Sequence, residues 1–144
     1  MTPLEADLVR RKLIVIVTNL QDLAAVEDLA LEEYRRDRFR LKGTERLLQE
    51  VVEAASDVNV HVLASLGGQP PQDYYEGFVE MGRRGPLPEE LAESLAPSAG
   101  LRNRIVHEYD DIDDAIVLGA VGEARRLFPR YVAAIEGFLE DRGL

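Results

Sequence analysis

Val9, Leu13, Ile16, Leu20 and Leu23 advance by alternating steps of four and three, the spacing that holds apolar side chains on one face of an α-helix. Leu48, Val51, Ala55, Val58 and Val62 repeat the pattern, and "SLGGQPP" at 65–71 ends it with glycines and prolines. No stretch alternates apolar and polar residues as a half-buried strand would, and no internal repeat or low-complexity tract interrupts the chain. The pattern predicts an all-α, up-and-down helical bundle with four to five main helices.

The first helix is expected from about residue 4 to the middle thirties. A shorter one is expected over 72–83, with Tyr74, Phe78 and Met81 on one side and Gly82 and Gly85 as stop signals. "PLPEELAESLAP" predicts another, with Pro88 near its first turn and Pro97 beyond its end. Ile116, Ala120, Leu127, Tyr131, Ile135 and Phe138 mark a long terminal helix, with Asp113 and Asp114 suited to its N-terminus and Pro129 expected to kink or interrupt it.

At 144 residues the chain is expected to form one domain, 1–144. With 46% hydrophobic and 31% charged residues it has the balance of a folded globular protein. It contains no cysteine, which excludes disulfides, thiolate nucleophiles and cysteine-ligated metal. The aliphatic run "LIVIV" at 13–17 is far shorter than the roughly 20 residues of a membrane span, and "MTPLEAD" does not resemble a secretory leader, so a cytoplasmic location is expected.

The formal net charge of -10 argues against gripping nucleic acid by bulk electrostatics, though not against a locally positive pocket. Positive charge is patchy. "RRDRFRLK" at 35–42 carries five cations and one anion and reads as a solvated turn between helices.

The densest chemistry lies in "LRNRIVHEYDDID" at 101–113. A histidine exchanges protons near neutral pH, and an arginine binds phosphate through parallel hydrogen bonds, a combination suited to phosphoryl chemistry. On a regular helix Arg102 and Tyr109 share a face, as do Asn103 and His107, but Arg102 and His107 point about 140° apart. Either the helix breaks here, after the flexible "SAG" at 98–100, or the working site combines two subunits. Two alternatives stand beside this reading. Arg102 and Arg104 pair with the following carboxylates while His107 caps a helix, or His107 joins Asp110, Asp111, Asp113 and Asp114 around a hard cation.

"GLRNRIVHEYDDID" resembles the signature of the HepT-like proteins of the HEPN superfamily, R-x-x-x-x-H-x-Y with asparagine after the arginine, matched by Arg102, Asn103, His107 and Tyr109. "YYEGFVEMGRRGPLPEELAESLAPSAG" and "EAASDVNVHVLAS" agree with further blocks of that family, so the resemblance spans roughly residues 8 to 140. It implies an all-α bundle that dimerises with the Arg–His motifs of two protomers facing each other. It also implies a metal-independent ribonuclease toxin that needs no cofactor, and an antitoxin partner of the MNT nucleotidyltransferase type.

In that scheme His107 is the general base, Arg102 stabilises phosphoryl charge, Asn103 positions the scissile group, and Tyr109 accepts AMP from the antitoxin, which silences the toxin. Arg104 is a candidate RNA contact. Asp57 and His61, four residues apart, are expected to share a helix face in a structural role, at a spacing that allows a hydrogen bond between them to orient His61. A rival reading makes the chain a non-catalytic or nucleotide-presenting partner of a minimal nucleotidyltransferase.

Overall fold

The computed structural model describes residues 2–144, and among them the chain is helical with short connections. Seven helices follow in order: α1 (Ala6–Glu27), α2 (Leu31–Arg35), α3 (Arg38–Leu66), α4 (Tyr74–Arg83), α5 (Glu89–Leu95), α6 (Ser98–His107) and α7 (Asp114–Asp141). The expected four to five main helices resolve into three long ones, α1, α3 and α7, and four short ones.

The long helices form the frame. Asn19 of α1 donates to the Leu47 carbonyl and to Glu50 of α3, whereas Lys12 pairs with Asp57 at 2.9 Å, so α1 and α3 run antiparallel. Arg10 meets Glu136 at 3.3 Å, while Arg125 reaches the Leu20 carbonyl and Glu27, so α7 is antiparallel to α1 as well. The predicted stripes are the buried ones: Leu13, Ile16 and Leu23 of α1, Val51, Ala55 and Val62 of α3, and Tyr131 and Ile135 of α7 lie in one core. Each such large side chain contributes about 1.5–3 kcal/mol on burial.

Phe78 of α4 joins that core through edge-to-face contacts with Phe128 and Tyr131, at centroid separations of 6.4 and 6.1 Å. Helices α4 and α5 pack closely at Gly82, where a Cβ would lie 2.5 Å from that of Ala92. Gly67 and Gly68 end α3 with φ of 83° and 95°, a left-handed backbone that glycine adopts without a steric penalty.

Four expectations change. The first helix stops at Glu27 rather than reaching the middle thirties. Tyr34 lies 18 residues after Ile16 and would have kept the angular position of the buried stripe on a straight helix, so the α1 face itself carries no signal of the stop. With Ala30 extended at ψ 150° the chain turns, and Tyr34 enters the core on α2. The basic run is mostly not a turn: Arg38–Lys42 form the start of α3, capped by the Asp37 carboxylate, which accepts from the Phe39 and Arg40 amides. Pro129 does not end α7; it sits on the exposed side of a helix that continues to Asp141. Ile116, expected in the core, is 43% exposed, and the buried stripe of α7 starts from Val117 and Val121 instead. No helix among the described residues is long and apolar enough to cross a membrane.

Candidate active site

Helix α6 carries the candidate site residues Arg102, Asn103 and His107. Pro97 precedes it, Ser98, Ala99 and Gly100 form its first turn, and the helix runs unbroken to His107, so the break considered after 98–100 is absent. Leu101 and Ile105 are buried against the core, whereas Asn103 and His107 are exposed. The two pairs lie about 200° apart around the helix, so packing the apolar pair inward turns Asn103 and His107 straight out to solvent. The unbroken helix removes the first of the two expected alternatives, a break that would let Arg102 and His107 of one chain cooperate.

Arg102 lies on the flank between these faces, and three helices hold it. Its Nε and Nη2 both donate to Glu53 Oε2 of α3, at 3.0 and 2.6 Å. Its guanidinium stacks over the Tyr74 ring of α4, 4.8 Å from the centroid. Its Nη1 donates to Asn103 Oδ1 at 3.3 Å. The carboxylate partner of Arg102 is therefore Glu53 and not the aspartates that follow it. Sequence reasoning missed both Glu53 and Tyr74. The available signal was slight: Glu53 sits one helical turn before Asp57, on the side of the helix opposite the predicted second stripe.

Tyr109 is not on the face of Arg102 as a continuous helix would have placed it, because α6 ends at His107 and Tyr109 belongs to the turn beyond. Its ring is 63% exposed. Lys42 ties that turn down: its Nζ donates to the Tyr109 carbonyl at 3.2 Å and to the buried Glu45 carboxylate at 3.3 Å. The basic run at 35–42 thus reaches the site through its last residue. Lys42, Arg46, Gln49, Val106 and Tyr109 line an open cavity of about 390 Å³.

The remaining residues separate. Arg104 is about 200° around α6 from Arg102 and borders a largely apolar cavity of about 380 Å³ with Ile116 and Glu123. Asp113 caps α7 by accepting from the Ala115 amide at 2.8 Å, and Asp114 faces Arg35 at 3.4 Å. Among the described residues no three His, Asp or Glu side chains converge as metal ligands would, so the acidic run does not gather around His107. Nor do Asp57 and His61 bond each other. Asp57 pairs with Lys12, and His61 Nε2 accepts from the Glu5 amide at the start of α1 at 2.9 Å, so both fasten α3 to α1.

The fold and the placement of the motif define a class: an all-helical bundle that presents Asn103 and His107 on the outer side of a short helix, with Arg102 held on its flank. The structure is similar to that of the tri-AMPylated Shewanella oneidensis HEPN toxin in complex with MNT antitoxin, with a TM-score of 0.81 at 21% identity, covering 91% of this chain and 98% of that one. It is also similar to YutE from Bacillus subtilis, a cytosolic protein of unknown function, with a TM-score of 0.85 at 12% identity, covering 99% and 95% of the two chains. At those identities the likeness shows the fold.

In sequence the chain is 40% identical over 139 residues to the tRNA nuclease HepT of Aphanizomenon flos-aquae, covering 96% of this chain and 95% of that protein. The model of the family described as "Ribonuclease HepT-like" matches residues 4–135, and this chain belongs to that family.

Proposed function

We propose that this chain is the endoribonuclease toxin of a HEPN–MNT toxin–antitoxin pair. The observation that carries the reading is the full-length similarity to a tRNA nuclease, combined with an α6 that presents Asn103 and His107 outward beside a firmly held Arg102. Transfer RNA is the substrate class that the similarity suggests.

In the mechanism His107, in its neutral form, removes the proton from a ribose 2′-hydroxyl. The 2′-oxygen attacks the adjacent phosphorus, the bond to the 5′-oxygen breaks, and the leaving oxygen takes a proton from a second, protonated histidine. The products are a 2′,3′-cyclic phosphate and a 5′-hydroxyl, and no metal ion or cofactor takes part. Arg102 stabilises the charge on the phosphoryl oxygens, and Asn103 orients the scissile group.

A homodimer supplies the second histidine. An unbroken α6 leaves Arg102 and His107 of one chain pointing apart, and the outward face of Asn103 and His107 is open to a second copy. Arg104, on the other flank, contacts RNA outside the reacting centre.

The antitoxin partner is a nucleotidyltransferase of MNT type that transfers AMP to the Tyr109 hydroxyl. The high exposure of that ring and its place two residues beyond His107 favour this role. A phosphodiester there adds bulk and about one negative charge where an RNA phosphate would approach.

The test is cleavage of a labelled RNA panel that includes tRNA, in EDTA, by unmodified wild-type protein and by His107→Ala. Cleavage by wild type alone, leaving a 2′,3′-cyclic end, is the expected result. Equal activity in His107→Ala removes His107 from the mechanism, and cleavage that appears only when divalent metal is restored removes the metal-independent chemistry.

A further inference from the structure

Resting on the ribonuclease reading above, we propose that Glu53 and Tyr74 are positioning residues that aim Arg102, so that it meets the scissile phosphate through its Nη1 end and not through the Nε–Nη2 edge that Glu53 occupies.

A guanidinium binds an oxyanion most strongly along an edge that supplies two parallel N–H bonds. On Arg102 the edge made by Nε and Nη2 is occupied, since both donate to Glu53 Oε2 at 3.0 and 2.6 Å. Tyr74 lies against one face of the plane at 4.8 Å. Gln49 donates to the same Glu53 oxygen at 3.3 Å, which fixes the carboxylate in turn. The donor left facing the motif is Nη1, 3.3 Å from Asn103 Oδ1. Asn103 is one turn from His107 on the outward face, so the arrangement swings the cationic end of a flank residue toward the face where His107 stands.

This aim has a chemical consequence. As the 2′-oxygen attacks and the 5′-oxygen departs, negative charge on the non-bridging oxygens grows only near the transition state. A donor held in advance toward one of those oxygens acts where the charge develops. An unrestrained arginine would instead chelate ground-state phosphates along the RNA backbone, which tightens binding without speeding the chemical step. Glu53 also neutralises Arg102 in the resting protein, in keeping with a chain whose net charge of -10 discourages indiscriminate RNA binding.

The experiment compares kcat and KM for one labelled RNA among wild type, His107→Ala, Glu53→Gln and Glu53→Asp, with a thermal melt of each full-length chain. Glu53→Gln keeps the shape of the side chain and removes its charge. The expected result is a kcat lowered about tenfold or more with KM unchanged or lower, at nearly wild-type melting temperature, and partial recovery in Glu53→Asp. An unchanged kcat, or a raised KM at constant kcat, overturns the proposal, as does a lowered melting temperature with normal turnover per folded molecule.

Should Glu53→Gln not fold, Tyr74→Leu leaves the ion pair intact and is judged by the same split between kcat and KM. Cleavage lost in His107→Ala but fully retained in Glu53→Gln sinks this inference and leaves the ribonuclease standing. Absence of cleavage by unmodified wild type sinks both.

Discussion

The Tyr131 hydroxyl donates to the Asn59 side-chain oxygen at 2.6 Å in the protein interior, joining α7 to α3 at the level of the aromatic cluster. Both residues are essentially inaccessible to water, with 0% and 1% exposure. Tyr131→Phe removes the donor, keeps the ring packing and leaves buried polar atoms behind. Such a loss costs about 1–3 kcal/mol. Urea unfolding should show a lower midpoint at unchanged slope, with the helical content of the native baseline preserved.

Buried tyrosines also set an alkaline limit. Burial pushes the Tyr34 phenol up to about 12, with the Glu45 and Asp114 carboxylates adding to the rise and Thr44 opposing it. Burial likewise holds the Tyr131 phenol well above its ordinary value. Between about pH 10 and 12 the unfolded chain therefore releases phenolic protons that the native protein keeps. The unfolded state then binds fewer protons, so stability is complete below pH 10 and falls as pH rises, by up to about 1.4 kcal/mol per pH unit for each tyrosine. Unfolding measured from pH 8 to 12 should show that decline. Tyr34→Phe should make it shallower within the same window, and an equal slope in the variant counts against the account.

Gly82→Ala tests the contact between α4 and α5. The added methyl would stand 2.5 Å from Ala92 Cβ and 3.3 Å from Glu89 Cα, so the two helices must separate. Overpacking of this kind costs about 1–3 kcal/mol, more than alanine's better helix propensity returns. A lower melting temperature is the expected outcome, and Gly82→Ala combined with Ala92→Gly should recover most of the loss.

Lys42 is the sole hydrogen-bonding cation of the buried Glu45 carboxylate among the described contacts, and it also holds the Tyr109 carbonyl. Lys42→Met strands that carboxylate and frees the turn. Destabilisation of about 3 kcal/mol is expected, together with faster hydrogen exchange in residues 108–112. Adding Glu45→Gln should restore stability while the exchange stays fast, because the tether to Tyr109 is still missing.

Tyr109→Phe addresses the proposed silencing. The variant should cleave RNA as well as unmodified wild type, yet gain no AMP when incubated with ATP and the cognate nucleotidyltransferase. Intact-mass measurement reads the modification directly, and addition of AMP to the phenylalanine variant would move the acceptor elsewhere.

Much of the site was legible because its residues are local. Arg102, Asn103 and His107 fall within six consecutive positions, and helix geometry alone predicts which of them share a face once Leu101 and Ile105 are assigned to the core. Tyr109 was placed on the wrong footing, since the pattern carries no signal that α6 stops at His107. Glu53 and Tyr74 were invisible for a different reason. Their contacts with Arg102 bridge 49 and 28 positions of sequence, and nothing in an isolated "VVEAAS" or "DYYEG" marks one side chain as the partner of a distant arginine. Asp57 and His61 show the converse: their spacing of four fits a mutual hydrogen bond, but each finds a better partner on α1.

The sequence by itself determined that this chain is all-helical, which faces of its long helices are buried, and which short segment carries the candidate proton-transferring and phosphate-binding groups. Those properties follow from apolar periodicity and from the chemistry of side chains close together in the chain. Only the tertiary structure decided that the first helix ends at Glu27 with Tyr34 buried on a separate α2, that Lys42 reaches across to the Tyr109 turn, and that Arg102 is held by a carboxylate on α3 and an aromatic ring on α4. Each of these depends on how helices distant in sequence pack against one another, and that packing is settled by the whole core at once.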